Sequence, residues 1–256
     1  MTMKKSDEAG GYLMQLQNFS VNDGEGIRTT VFMAGCPLRC QWCANPECFA
    51  FDDKNPMISY WTTESVIKQL ERQMFFYRLS GGGVTFSGGE ATLQEEFLRS
   101  MATKLYDKGV SLAIETCGFF DWEKKKDIFQ KMDTVFIDCK LWNREKHIFY
   151  TGKDNAIILE NIEHVSNEVA HTIVRIPVIE GVNADVKEMT DMFSYLQKAM
   201  KIPTIELLPY HKYGEEKYKK LHRKTPSIEF QIPSEEKIGM LEEKARTMGI
   251  QVVRYR

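Results

Sequence analysis

Residues 35–47 read GCPLRCQWCANPE, and three cysteines, Cys36, Cys40 and Cys43, fall in them at CX₃CX₂C spacing. No fourth cysteine stands at a matching interval. Three thiolates suit three corners of an iron–sulfur cube and leave the fourth iron open to a substrate or cofactor, as a catalytic metal site differs from a closed structural one. Cys48, Cys117 and Cys139 remain as potential fourth ligands, so counting alone also admits zinc. Structural zinc sites usually use two closely spaced ligand pairs, and no second pair occurs here.

Outward from this loop the chain alternates. A polar lead reaches Asp23–Arg28 (DGEGIR), and the run TTVFM, Thr29–Met33, predicts a strand that feeds the cysteine loop. Thr62 or Thr63 can cap a helix with Val66, Ile67, Leu70, Met74 and Phe75 at helical spacing. Gly81–Gly83 break it. Val84–Phe86 begins a second strand, ending in Ser87-Gly88-Gly89-Glu90. Helices are predicted over Gln94–Lys108, Trp122–Lys131, Val186–Met200 and Ser234–Met248, and one within Ala156–Val169. Strands are predicted over Val110–Thr116, Thr134–Lys140, His171–Val178 and Thr204–Leu208, with Val252–Val253 last. Regular βα alternation predicts an α/β protein with a parallel sheet, a (β/α)6 partial, TIM-like barrel. No linker or composition break divides residues 1–256, so one domain is expected, with a core of about 23–211 and an extension over 212–256.

In such architectures the site forms where strands end. Cys36–Cys43, Gly88–Glu90, Glu115–Thr116, Asp138–Lys140, Arg175 and Tyr210–His211 all stand at or near predicted strand ends, so the notable polar residues converge on one rim. Cys139 and Cys117 read as small apolar residues of the core, and Cys48 as an adventitious ligand. Lys and Arg (34) nearly balance Asp and Glu (36), which excludes the global field of a nucleic-acid binder. The first residues lack an apolar leader, and no run is long enough to span a membrane, so a cytoplasmic protein without a membrane partner is expected. There, six cysteines are better read as metal or redox ligands than as disulfides. The basic stretch Lys212–Lys224 reads as a solvated face that could steer an acidic redox partner.

The cysteine spacing, with Trp42 as the aromatic before the last cysteine, resembles the signature of the radical S-adenosylmethionine (SAM) enzymes. DGEGIR, GGGVTFSGGE, IDCK and LLPYH are similar to the glycyl-radical-enzyme activating enzymes among them, especially the type that serves pyruvate formate-lyase. The resemblance runs from about Asp23 to about His211. It implies a 4Fe–4S cluster on the three cysteines, with SAM chelated to the open iron. Reductive cleavage of SAM then gives a 5′-deoxyadenosyl radical that takes a hydrogen from a glycine of a partner protein, with flavodoxin or ferredoxin as electron donor. By the same resemblance Gly88, Gly89 and Glu90 would meet the SAM amino group, and Lys140 its carboxylate. Trp42, Ala44 and His211 would lie along the nucleoside, and Arg175 would face SAM or the substrate loop. A monovalent cation would map onto Glu115, Thr116, the Phe136 carbonyl and Asp138. The chain departs from the formate-lyase type at Glu25 (usually Pro), Ala44 (commonly His) and Glu115 (commonly Asp). WCANPE is instead similar to activases of other glycyl radical enzymes, many of which carry a cysteine-rich insertion before GGE, whereas Phe49–Gly83 contains no cysteine. A radical SAM enzyme acting on a small molecule and a zinc-stabilised binding module are the alternatives.

Overall fold

The computed structural model describes residues 9–51, 55–169, 171–221 and 228–255. Its strands form one sheet in the order β3-β1-β2-β4-β5-β6-β7-β8-β9. These are β1 (Gly10–Ser20), β2 (Arg28–Met33), β3 (Ser59–Thr62), β4 (Gly83–Gly88), β5 (Ser111–Thr116), β6 (Thr134–Asp138), β7 (Thr172–Val178), β8 (Thr204–Pro209) and β9 (Gln251–Val252). From β2 to β9 every pairing is parallel. The two end strands of the order do not pair with each other, so the barrel is partial. Strands β4 to β8 are buried along most of their length because each carries helices outside and the barrel interior inside.

Helices α1 (Thr63–Glu71) and α2 (Met74–Ser80) precede β4, and α3 (Glu95–Tyr106) and α4 (Trp122–Phe129) follow β4 and β5. Helices α5 (Arg144–Thr151) and α6 (Ala156–Glu168) lie between β6 and β7. The remainder are α7 (Val186–Ala199), α8 (Tyr213–Lys220) and α9 (Glu235–Thr247). Each long helix turns an apolar stripe to the sheet, such as Phe97, Leu98, Met101 and Leu105 of α3 or Met189, Met192, Phe193 and Leu196 of α7. Each such side chain, fully buried, contributes on the order of 2 kcal/mol.

The α/β partial barrel expected from the alternation is present, with local differences. β1 pairs antiparallel with both β2 and β3 and extends the sheet beyond the barrel. Its pattern escapes the sequence because its second half is exposed through Gln17, Asn18 and Phe19, which breaks the apolar alternation. The helix capped by Thr62 stops at Glu71, and Met74 and Phe75 belong to α2, where Phe75 is exposed rather than packed. Cys139 lies one residue past β6 and is buried, as a small apolar residue would be. The basic stretch after Lys212 is helical to Lys220, and its residues 222–224 lie outside the described set. So does most of the polar lead, residues 1–8. Among the described residues no helix is long and apolar enough to cross a membrane.

Candidate active site

The carboxyl ends of the parallel strands surround a cavity of about 860 Å³, within the range that encloses a small-molecule ligand. Cys36, Cys40, Trp42, Cys43, Ala44, Gly88, Gly89, Asp138, Lys140, Arg175 and His211 line it, together with Cys117 and Tyr210. Glu90, Glu115, Thr116 and Phe136 do not.

The cysteine loop leaves β2 and is held from several sides. Gly35 N–H donates to the Cys48 carbonyl at 2.7 Å, while Arg39 and Gln41 N–H donate to the carbonyls of Thr151 and Tyr150 on α5 at 2.8 and 3.0 Å. From the other side α8 lies on the loop. A Cβ at Gly214 would stand 2.3 Å from the Cys43 carbonyl oxygen. Lys217 Nζ reaches both the Asn45 side-chain oxygen and the buried Glu47 carboxylate at 2.7 Å. Asn45 N–H points at the Cys43 sulfur, 3.4 Å away. Neither α5 nor α8 was expected, yet both frame the site.

Burial pushes the thiols of Cys40 and Cys43 up to about 12. Cys36 is shifted the other way by the neighbouring Cys117 side chain, while burial opposes. Buried thiols become thiolates only against a compensating positive centre, and a bound metal supplies one. Among the described residues no three His, Cys, Asp or Glu side chains converge as ligands of a single ion would. The three cysteines line one cavity, and their CX₃CX₂C spacing without a second ligand pair fits a cluster better than a structural zinc.

The glycine pair explains itself sterically. Gly88 has φ +116, and a Cβ there would fall 2.2 Å from the Met33 carbonyl oxygen; at Gly89 it would fall 2.3 Å from that of Gly35. Only glycine lets the end of β4 lie this close to the cysteine loop, with backbone exposed to the cavity. Glu90 behaves differently from the expectation that its carboxylate meets an ammonium. It is fully buried and accepts bonds from Thr92 N–H (3.2 Å), Thr92 Oγ1 (2.7 Å), Thr116 Oγ1 (2.8 Å) and Cys117 N–H (2.7 Å). The carboxylate fastens β4 to the end of β5, beside the cavity-lining Cys117.

Lys140 Nζ bonds Asp138 at 2.6 Å. Burial works against its charge, but Asp138 and the neighbouring cysteines raise its pKa well above that of a free lysine. Arg175 is held on three sides. Its guanidinium pairs with Glu115, bonds Glu206 at 2.9 Å and the Asn22 carbonyl at 3.0 Å, and stacks 3.8 Å over the Phe136 ring. These contacts use the donors expected to hold a monovalent cation. Glu115 is spent on Arg175 and Ser87, Thr116 Oγ1 on Glu90, and Asp138 on Lys140. This set does not fit a bound cation. Trp42 packs edge-on against Phe230 at 5.7 Å, and the His211 ring lies 4.4 Å from that of Tyr213 at the mouth.

Residues 30–193 match the family model described as the radical SAM superfamily. The chain is 34% identical to a trans-4-hydroxy-L-proline dehydratase activating enzyme of Clostridioides difficile, across 88% of this chain and 93% of that one. It is 32% identical to pyruvate formate-lyase 2-activating enzyme of Escherichia coli (strain K12), across 94% and 91%. The chain belongs to the radical SAM superfamily, among its glycyl-radical-enzyme activating enzymes. A solved domain of a pyruvate-formate lyase-activating enzyme from Bacteroides vulgatus superposes with a TM-score of 0.57 at 29% identity, covering 68% of this chain and 98% of that one. The alignment to the dehydratase activase runs over 281 positions, more than this chain's 256 residues, so that relative carries residues with no counterpart here. The radical SAM family implies a 4Fe–4S cluster and SAM, and the three thiols bordering one cavity fit the former. Sequence reasoning placed Tyr210 on the rim without giving it a role and read Cys117 as a core residue, although both line the cavity; the position of Cys117 at the end of a predicted strand was the available signal for it.

Proposed function

We propose that this activase prepares a partner glycyl radical enzyme by removing a hydrogen atom from one of its backbone glycines. The observation that carries the reading is the single cavity in which Cys36, Cys40 and Cys43 face Gly88–Gly89, Lys140 and Arg175. When bound, a cluster on the three cysteines supplies the electron, passed on from flavodoxin or ferredoxin, that cleaves SAM to the 5′-deoxyadenosyl radical. This chain's own residues bind, orient and exclude water. The exposed backbone of Gly88–Gly89 offers hydrogen-bonding groups to an amino group, and the Lys140 ammonium offers a charge-assisted bond to a carboxylate. Trp42 and Ala44 form an apolar wall, with His211 at the mouth, for the nucleoside. Arg175, fixed by Glu115 and Glu206, lines the cavity and adds positive charge to its wall. No proton-transfer residue is needed for hydrogen-atom abstraction, and a reactive intermediate is protected by a narrow, partly apolar enclosure.

Pyruvate formate-lyase is the partner we infer first, because the chain lacks a cysteine-bearing insertion between the cysteine loop and GGE. A second reading, a dehydratase or decarboxylase partner, is favoured by the WCANPE segment and by the identity to the dehydratase activase. Anaerobic reconstitution followed by incubation with SAM, a reductant and each partner distinguishes them by the glycyl doublet in electron paramagnetic resonance. Cys40→Ala is expected to abolish both iron retention and 5′-deoxyadenosine formation. Zinc in place of iron, or SAM left intact under reducing conditions, would overturn the reading.

A further inference from the structure

Lys140 stands just beyond the reach of the sheet. The last pair of the β6–β7 ladder is Asp138 with Arg175, and the Cys139 N–H still donates to the Arg175 carbonyl at 2.9 Å. Pro177, where the next donor would stand, has no N–H, so the ladder stops and the Lys140 backbone must be held in another way. Asn183 holds it. This side chain is fully buried in the turn after β7. Its amide nitrogen donates to the Lys140 carbonyl at 3.0 Å and the Pro177 carbonyl at 2.7 Å, and its oxygen accepts from Ile179 N–H at 2.8 Å. Two carbonyls on one side and an N–H on the other leave one orientation of the amide that satisfies all three. The turn is itself closed, because the Ile179 carbonyl accepts from the N–H groups of Val182, Asn183 and Ala184 at 3.1, 3.2 and 3.3 Å. Lys140 and Pro177 both line the cavity, so one buried amide ties two stretches of its wall.

We propose that Asn183 is a positioning residue that aims the Lys140 ammonium at the carboxylate of SAM, and so sets how well the site distinguishes SAM from a ligand lacking that carboxylate. The inference rests on the reading of Lys140 as the carboxylate's partner and is independent of which partner protein is activated. Lys140 is fixed at both ends, its carbonyl by Asn183 and its ammonium by Asp138 at 2.6 Å. A hydrogen bond weakens steeply with distance and angle, and a misplacement of about 1 Å is enough to spoil a positioned group. Without Asn183 two buried carbonyls lose their donor, and the chain recovers partners for them only by moving. Pro177 is held within β7 by its pairing with β8, so the segment that moves is the one carrying Lys140.

The test is equilibrium binding of SAM and of decarboxylated SAM to the anaerobically reconstituted full chain. Wild type is compared with Asn183→Ala, Asn183→Asp, Lys140→Met and the double variant Asn183→Ala/Lys140→Met. Aspartate keeps the size of the side chain and the acceptor for Ile179 N–H but loses both donors, which covers the case in which the alanine cavity prevents folding. Asn161→Ala controls for lost stability alone, since Asn161 is also buried and donates to the Gly118 and Phe120 carbonyls at 2.8 Å. The preference for SAM over decarboxylated SAM is expected to fall about tenfold in both Asn183 variants, the scale of one charge-assisted bond, and to stay at its wild-type value in Asn161→Ala. Adding Asn183→Ala to Lys140→Met should lower it no further, because residues that act through one another are not additive. A wild-type preference in both Asn183 variants, an equal loss of affinity for the two ligands, or full additivity in the double variant overturns the proposal. An unchanged preference in Lys140→Met defeats the carboxylate reading of Lys140 itself, which separates the two failures.

Discussion

Arg175 and Lys140 both bring positive charge to the rim, and their surroundings give them different work. Arg175 is enclosed by Glu115 and the almost fully buried Glu206 and covers the Phe136 ring. Removing one partner from a buried ionic network leaves uncompensated charge behind, at a cost of about 3–5 kcal/mol. Arg175→Met is therefore expected to destabilise the fold by that amount, measured by denaturant unfolding without cofactors. Lys140 has Asp138 as its side-chain partner and faces the cavity. A charge-assisted hydrogen bond is worth about 1.5–3 kcal/mol, so Lys140→Met should weaken SAM binding by roughly 10- to 100-fold. Equilibrium binding to the reconstituted protein checks this, with the cluster's absorption spectrum unchanged. Sequence resemblance could point to both positions, but it could not show that Glu115 is committed to Arg175 or that Glu90 is taken up by Thr92, Thr116 and the Cys117 N–H. Those depend on which neighbour a carboxylate finds in three dimensions.

The elements that sequence reveals are those whose own pattern carries their reason for forming. The parallel strands are continuous apolar runs, and the long helices have an apolar stripe, so β2 and β4–β8 and helices α3, α6, α7 and α9 are legible. α5 and α8 are short, with few buried residues each, and isolated helices of that length are marginal. They form because they grip the cysteine loop. α5 accepts the loop's N–H groups at Thr151 and Tyr150, and α8 sits against Cys43 through Gly214. That contact is testable. Gly214→Ala would place a methyl group 2.3 Å from a backbone oxygen, so α8 must shift away. The expected result is several-fold faster loss of iron to a chelator, with an unchanged far-ultraviolet circular dichroism spectrum. A wild-type rate of iron loss would show that α8 does not secure the loop.

Across the whole molecule the cavity and the filling of the barrel adjoin. The carboxyl ends of the strands carry the cavity, whereas the DGEGIR loop and Tyr255 fill the barrel interior, with Asp23 and Glu206 reaching the cavity wall. Tyr255 N–H donates to Glu206 at 2.8 Å, and its ring packs edge-on against Phe136 at 5.2 Å. Arg28 ties the filling to the strands. Its buried guanidinium donates to Thr85 Oγ1 at 2.7 Å, the Val84 carbonyl at 2.9 Å, the Ser111 carbonyl at 3.1 Å and the Glu25 carbonyl at 3.2 Å. Burial pulls its pKa down to about 10, against the charges of Asp133 and Asp23, yet it remains a cation near neutrality. In barrels of this kind the amino ends of the strands serve stability and the carboxyl ends serve chemistry. Arg28→Met should then separate the two. It strands several buried acceptors, each costing about 1–3 kcal/mol when left unpaired, so a loss of roughly 3 kcal/mol or more is expected in denaturant unfolding. SAM affinity and the cluster midpoint should stay at wild-type values in the fraction that remains folded. A variant that kept full stability but lost SAM binding would mean that the filling of the barrel governs the site directly.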